Sequence, residues 1–313
     1  MGNLKETKGY ANFKGVISGL HNRKKGSSRT EEDWGTRLRF FIKTSEHNSI
    51  PVELTQWNSQ VGKPVYFSSK TDDGGYEVKK VDWSQRKEKF EGWQLIGTSV
   101  RAKNHEEVSV LVPIDAIEYI ENNFDDGDSV FVNCNIRRSQ SGDRQYINYE
   151  ITRMYATTDE LDFESDEFDE ISEFMEEFVF ESYFADRKEN KMFITGKTIQ
   201  YGDKVTPAVY TVWANTDTDK EVAKYIADNC GFGDILKAEG IIHNRVIGEW
   251  VETGDEDGGN IVGRQSKSFG KPTRHFVTHG ELKEYQIIGI NDIVKGAYTK
   301  SDFEEKIKDD TPE

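Results

Sequence analysis

Apolar and polar residues alternate through positions 129–136 and again through 235–242, the period of two that a half-buried strand requires. Ahead of each run lies a short amphipathic stretch of helical periodicity, 114–124 and 220–229, which ends near a Gly-Asp pair. Further strand-like runs precede the helices, at 94–100 and 108–112 in one place and at 193–199 and 209–214 in the other. Gly97 and Gly196 interrupt the earlier run of each pair, as where a sheet bends or a backbone approaches closely. A last strand is expected at 146–154 and at 285–290. The two blocks are copies: Tyr119, Ile120, Asn123, Gly127 and Asp128 return as Tyr225, Ile226, Asn229, Gly233 and Asp234, at a constant offset of 106. Each copy thus predicts a small sheet with one helix between its third and fourth strands.

The first part of the chain reads as five strands without a long helix, at 13–18, 37–43, 50–54, 64–67 and 76–81, with a Gly-, Ser- and charge-rich loop at 20–34. These strands either form a third unit or complete the first repeated one, and three units are the reading adopted. The predicted division is a basic unit at 9–85, a second unit at 91–157, an acidic linker or helix at 158–177, a third unit at 178–295 and an acidic tail at 296–313. Between Asp159 and Glu177 eleven residues are acidic and none is Lys or Arg. Phe168, Ile171, Phe174, Met175 and Phe178 recur there at helical spacing, which predicts an acidic amphipathic helix, either a linker or a phosphate mimic for a basic groove. A long connection, 247–276, separates the last two strands, acidic in its first part and basic in its second.

Charge sharpens this picture. The formal net charge is -16, which opposes a polyanionic partner. Residues 1–50, however, carry ten Lys or Arg against five Asp or Glu, and residues 151–200 carry five against fourteen. No apolar run is long enough to cross a bilayer and the N-terminus shows no hydrophobic signal region, so a soluble cytoplasmic protein with no membrane partner is expected. Cys134 and Cys230 stand singly and read as reduced thiols. Phosphate-cradle, zinc-helix and nucleophile-elbow motifs are absent from the sequence. His275 with His279, and Asp255, Asp257 and Gly259, fall short of a zinc or calcium ligand set. A non-enzymatic chain without metal or cofactor is therefore expected.

Single-strand binding needs cations spaced along a backbone and aromatic faces for bases. The first segment offers Lys14, Arg23, Lys24, Lys25, Arg29, Arg37, Arg39 and Lys43 with Trp34 and Trp57; Arg37 and Arg39 alternate with Leu38 and Phe40, which places both guanidinium groups on one sheet face. The second offers Arg137, Arg138 and Arg144 leading into Tyr146. The third offers Arg245 and Trp250, then Arg264, Lys267, Phe269, Lys271 and Arg274.

With its strand and helix order, its repeat and its basic, aromatic loops, the chain resembles phage-type single-stranded DNA-binding proteins, and more loosely the replication protein A class. The resemblance implies a mainly β fold with short helices, built as tandem OB-like five-stranded barrels. It implies sequence-tolerant coating of single-stranded DNA in replication or recombination, and recruitment of replication or recombination proteins through acidic segments. One difference is at the end: Asp309, Asp310, Thr311, Pro312 and Glu313 lack the hydrophobic tip that follows the acidic residues of bacterial members. The rival reading is a structural or host-interaction protein that uses such barrels to bind protein; a Mg²⁺-dependent nuclease or nucleotide-modifying enzyme is a further rival with no particular residues behind it.

Overall fold

The computed structural model describes residues 4–21, 29–31, 35–142, 144–158, 160–165, 168–253 and 273–304, with backbone alone at 29–31, 246–253, 273–279 and 304. It is mainly β with few short helices. β1 (Gly9–Ser18), β2 (Arg29–Glu31), β3 (Gly35–Lys43) and β4 (Ser49–Trp57) open the chain. Their alternation is the reason they are strands: Phe13 and Ile17, Leu38, Phe40 and Ile42, and Ile50, Val52 and Leu54 all point into one core. The chain then leaves for an inserted sheet of β5 (Val65–Lys70), β6 (Tyr76–Val81) and β7 (Gln94–Leu95), in the order β6-β5-β7. A short pair, β8 (Thr98–Arg101) and β9 (Ser109–Leu111), leads to α1 (Pro113–Asn123). β10 (Ser129–Ser141) and β11 (Arg144–Ala156) finish the unit.

Pairing closes these strands on themselves. β1 pairs with β3, β3 with β4, β4 lies parallel to β11, β11 pairs with β10, and β10 returns to β1. A second ring repeats the circuit with β12 (Ile171–Asp186), β13 (Lys191–Gln200), β14 (Lys204–Trp213), β15 (Ile235–Thr253) and β16 (Thr273–Val294), with α2 (Asp217–Asn229) between its third and fourth strands. Its pairings are β12 with β13, β13 with β14, β14 parallel to β16, β16 with β15 and β15 with β12. A last turn, α3 (Ser301–Glu304), brings Phe303 onto Leu4, Val179 and Ile199.

The repeated residues have a structural task. Asn123 and Asn229 each donate to the carbonyl of the tyrosine four residues earlier, at 2.8 and 2.9 Å. The carboxylates of Asp128 and Asp234 accept from the backbone amides of Asp125 and Gly231. Each turn then clasps the first strand of its own ring: Gly127 and Asp128 exchange backbone bonds with Ile17, and Gly233 and Asp234 with Phe180. Ile17 and Phe180 are thus equivalent, 163 positions apart. On the same count Ala11 corresponds to Phe174, which it faces in the antiparallel pairing of β1 with β12. The rings are related by a local twofold through that pair.

Two inter-ring ties flank it. The Arg138 guanidinium donates to both oxygens of Glu176 at 2.8 Å, and both side chains are buried. Tyr210 donates to the same carboxylate, and the guanidinium lies 4.5 Å from the Tyr285 ring centre. Glu176 holds Arg138 firmly protonated against the cost of burial, and burial pushes the Tyr149, Tyr210 and Tyr285 hydroxyls well above the usual tyrosine range. On the other side, the Asn48 amide donates to Thr44, Glu170, Ser172 and the carbonyl of Ile242, and its oxygen accepts from Asn244 N at 2.7 Å.

Three expectations are corrected. The strands of 9–57 and of 129–156 share one ring, so the boundary expected between 85 and 91 falls inside an insertion and not between two units. The runs 94–100 and 108–112 are not the counterparts of 193–199 and 209–214; β3 and β4 are, because the offset of 106 holds only downstream of the insertion. The acidic helix is a strand from Ile171 onward: Ser172, Phe174, Glu176 and Phe178 alternate inward, and pairing with β1 and β15 overrides the coincidental helical spacing. The second ring therefore begins at 171, inside the expected linker.

Candidate nucleic-acid interface

The outer face of β3 and β4 follows from their inward alternation. With Leu38, Phe40 and Ile42 buried, Arg37, Arg39, Phe41 and Lys43 must point outward. In register beside them on β4 stand Thr55, Glu53, Pro51 and Ser49, with Trp57 opposite Gly35. Phe41 and Trp57 expose 42% and 47% of their surface, high enough for a planar ligand to reach both rings. Arg37 lies 4.0 Å from Glu53 and is half-buried; Arg39, exposed, sits directly opposite the same carboxylate. Burial raises the Glu53 pKa, and the two arginines oppose that shift. Lys14 projects from the outward side of β1.

Between the rings this face runs into a cleft of about 660 Å³. Phe41, Pro51, Gln145 and Ile147 line it from the first ring, and Phe193, Val209, Thr211, His243 and Glu284 from the second, over Tyr149, Tyr285 and Arg138. On the second wall the Glu284 carboxylate accepts from Lys191 and from the Trp213 indole, and Trp213 stacks on His243 at 4.8 Å. His243 Nε2 bonds Gln286, and burial pulls the ring's pKa below its ordinary value. Among the described residues no group of three or more His, Cys, Asp or Glu is placed to hold a metal ion, and no helix is long and apolar enough to cross a membrane.

The expected site residues separate into groups. Arg37, Arg39 and Trp57 share the β3–β4 face. Arg144 and Tyr146 are exposed at the β10–β11 hairpin, and Arg137 is exposed but bonded to Glu150 at 3.2 Å. One expectation is corrected: Arg138 is a buried tie to Glu176 and does not face a ligand; Arg245, partly exposed, is held by Glu170 at 2.5 Å beside the Asn48 turn. Both partners come from the acidic stretch, whose carboxylates act here as structural counter-ions. Arg29 lies in β2 opposite Arg37, and Trp250 and Arg274 lie in β15 and β16, their side chains outside the described residues. Arg23, Lys24, Lys25, Trp34, Arg264, Lys267, Phe269 and Lys271 lie outside them altogether, as do Asp255, Asp257, Gly259 and the tail from 305. Phe41 and Phe193 were not singled out in the sequence, although strict alternation after Phe40 already turns Phe41 outward.

The model of a protein family described as YorF matches residues 73–312. The chain belongs to the YorF family. The matched stretch of this YorF-family chain starts in the β5–β6 hairpin and runs through α1, the whole second ring with α2, and α3. No curated protein matches it. Among solved structures, the wild-type single-stranded DNA-binding protein of Thermus aquaticus aligns over 77% of this chain and 87% of its own, at 9% identity and a TM-score of 0.38. A deletion mutant of that protein aligns over 76% and 86%, at 7% identity and a TM-score of 0.37.

Proposed function

We propose that this protein binds single-stranded DNA without strong sequence preference, through the outer face of β3 and β4 and the cleft beside it. Each ring is read as an OB-like barrel: strands in the spatial order first, second, third, fifth, fourth, with a helix between third and fourth. Barrels of this class take oligonucleotides on the face of their second and third strands. The observation that carries the reading is that Arg37, Arg39, Phe41, Lys43 and Trp57 occupy that face of the first ring, with both rings exposed. Cations there neutralise phosphates while Phe41 and Trp57 stack bases, an arrangement indifferent to base identity. No residue is assigned a catalytic role. Such a protein would coat the single strands that replication and recombination expose.

A second reading, docking of a protein partner, draws on the second ring. Lys191 and Lys197, on the equivalent face, are bonded to Glu284 and Glu181 at 2.7 Å each, while Phe184 beside Phe193 is 65% exposed. The two readings are separated by Arg39→Ala with Phe41→Ala, assayed by fluorescence anisotropy of labelled oligo-dT. The DNA-binding reading predicts at least about a tenfold loss of affinity. Unchanged affinity would remove the first-ring face from the site.

A further inference from the structure

We infer that the inserted sheet carries a second contact for the same single strand, a small platform of tyrosine and lysine outside both rings. This rests on the single-strand reading above and extends its footprint.

The insertion is amphipathic across its two faces. Val65, Phe67 and Leu95 point inward and pack with Phe90, Trp93 and Val112, and Lys79 lies over the Phe90 and Trp93 rings. Strand alternation sends the other residues outward, and the register places them in rows: Tyr66 opposite Lys80, Ser68 opposite Val78, Lys70 opposite Tyr76. Tyr66 and Tyr76 expose 50% and 74% of their surface. Rings this open leave a large part of their faces accessible to a ligand. Every outward strand position is aromatic, aliphatic, neutral polar or lysine; none is a carboxylate, in a chain of net charge -16. Glu77 falls on the opposite face by alternation, and Asp73 is turned into its own loop, where it accepts from Thr71 and Gly75.

Alternating cations and exposed aromatics on a sheet face match a strand of phosphates and unstacked bases, because each base can lie on a ring while a lysine meets the next phosphate. The chain also leads there directly. Trp57, on the proposed first-ring face, ends β4, and the insertion begins immediately after it.

The test compares the full-length chain with two double variants, Tyr66→Ala/Tyr76→Ala and Lys70→Ala/Lys80→Ala, on oligo-dT of about 10 and about 35 nucleotides, lengths that bracket one and several barrel footprints. The tyrosine variant is expected to lose about tenfold or more on the long strand and little on the short one. The lysine variant is expected to flatten the salt dependence on the long strand. Photo-cross-linking of iodouracil-substituted oligo-dT should label a peptide containing Tyr66 or Tyr76 in the unaltered chain. Equal affinities for all three proteins on the long strand, or cross-links confined to the first-ring face, would overturn the platform while leaving the single-strand reading intact. No binding by the unaltered chain to either strand would instead remove the single-strand reading, and this platform with it.

Discussion

Arg138 shows how a single side chain changes meaning between sequence and fold. Its neighbourhood, with Arg137 before it and a hairpin after, reads as a phosphate grip; in space it is buried on Glu176 with Tyr210 as the carboxylate's second donor. Breaking a buried pair leaves an unpaired charge, which costs about 3–5 kcal/mol. Arg138→Ala should therefore lower stability in urea unfolding by about that amount; unchanged stability would show that the pair with Glu176 does not hold the rings together. The repeated glycines differ in a similar testable way. Both have positive φ, +100° at Gly127 and +87° at Gly233, but a Cβ at Gly127 meets open space whereas at Gly233 it would fall 1.8 Å from the Tyr298 carbonyl oxygen. Gly127→Ala should cost about 1–2 kcal/mol of backbone strain, and Gly233→Ala distinctly more, in thermal unfolding. His243 supplies a pH dependence. Its folded pKa lies below the ordinary histidine value, so below about pH 6.5 the unfolded chain binds the extra proton and stability falls as pH is lowered. His243→Gln should flatten that part of the profile.

At the scale of elements, the outward face of β3 and β4 holds one carboxylate that competes with phosphate for two arginines. Glu53→Gln removes its charge without changing shape and should tighten oligo-dT binding by a few fold, about 0.5–1 kcal/mol for a carboxylate competing at the surface of the sheet, read by anisotropy at low salt. A weaker complex would mean that Glu53 positions Arg37 and Arg39 for the ligand. These strands were legible in the sequence because their alternation is strict and short-range, and so were the helices and their Gly-Asp turns, which are local motifs copied residue for residue. The pairing was not legible. Which strands share a ring is decided by contacts across an insertion of some fifty residues, and an offset read downstream of it misassigns the strands upstream. The acidic stretch failed for another reason. Glu170 and Glu176 look solvated by composition, but their arginine partners lie far away in sequence, so both the strand and the ion pairs depend on tertiary contacts.

For the whole molecule, two rings joined at the Ala11–Phe174 pair present different surfaces to solvent. The first ring leaves Arg39, Lys43 and Phe41 outward beside a single carboxylate, and the second ties its equivalent lysines to glutamates. Under the proposed function, that asymmetry favours the first ring and the cleft as the path of the strand, in a chain whose overall charge opposes DNA. Binding must then depend on local cations and be sensitive to salt. Oligo-dT titrated with the intact chain at low and moderate salt tests this most directly. For roughly four phosphates neutralised, the logarithmic slope should be about -3, with duplex DNA bound far more weakly. Binding that ignores salt, or no binding at low salt, would contradict the account and leave the exposed Phe184 beside Phe193, and a protein partner, as the function to pursue.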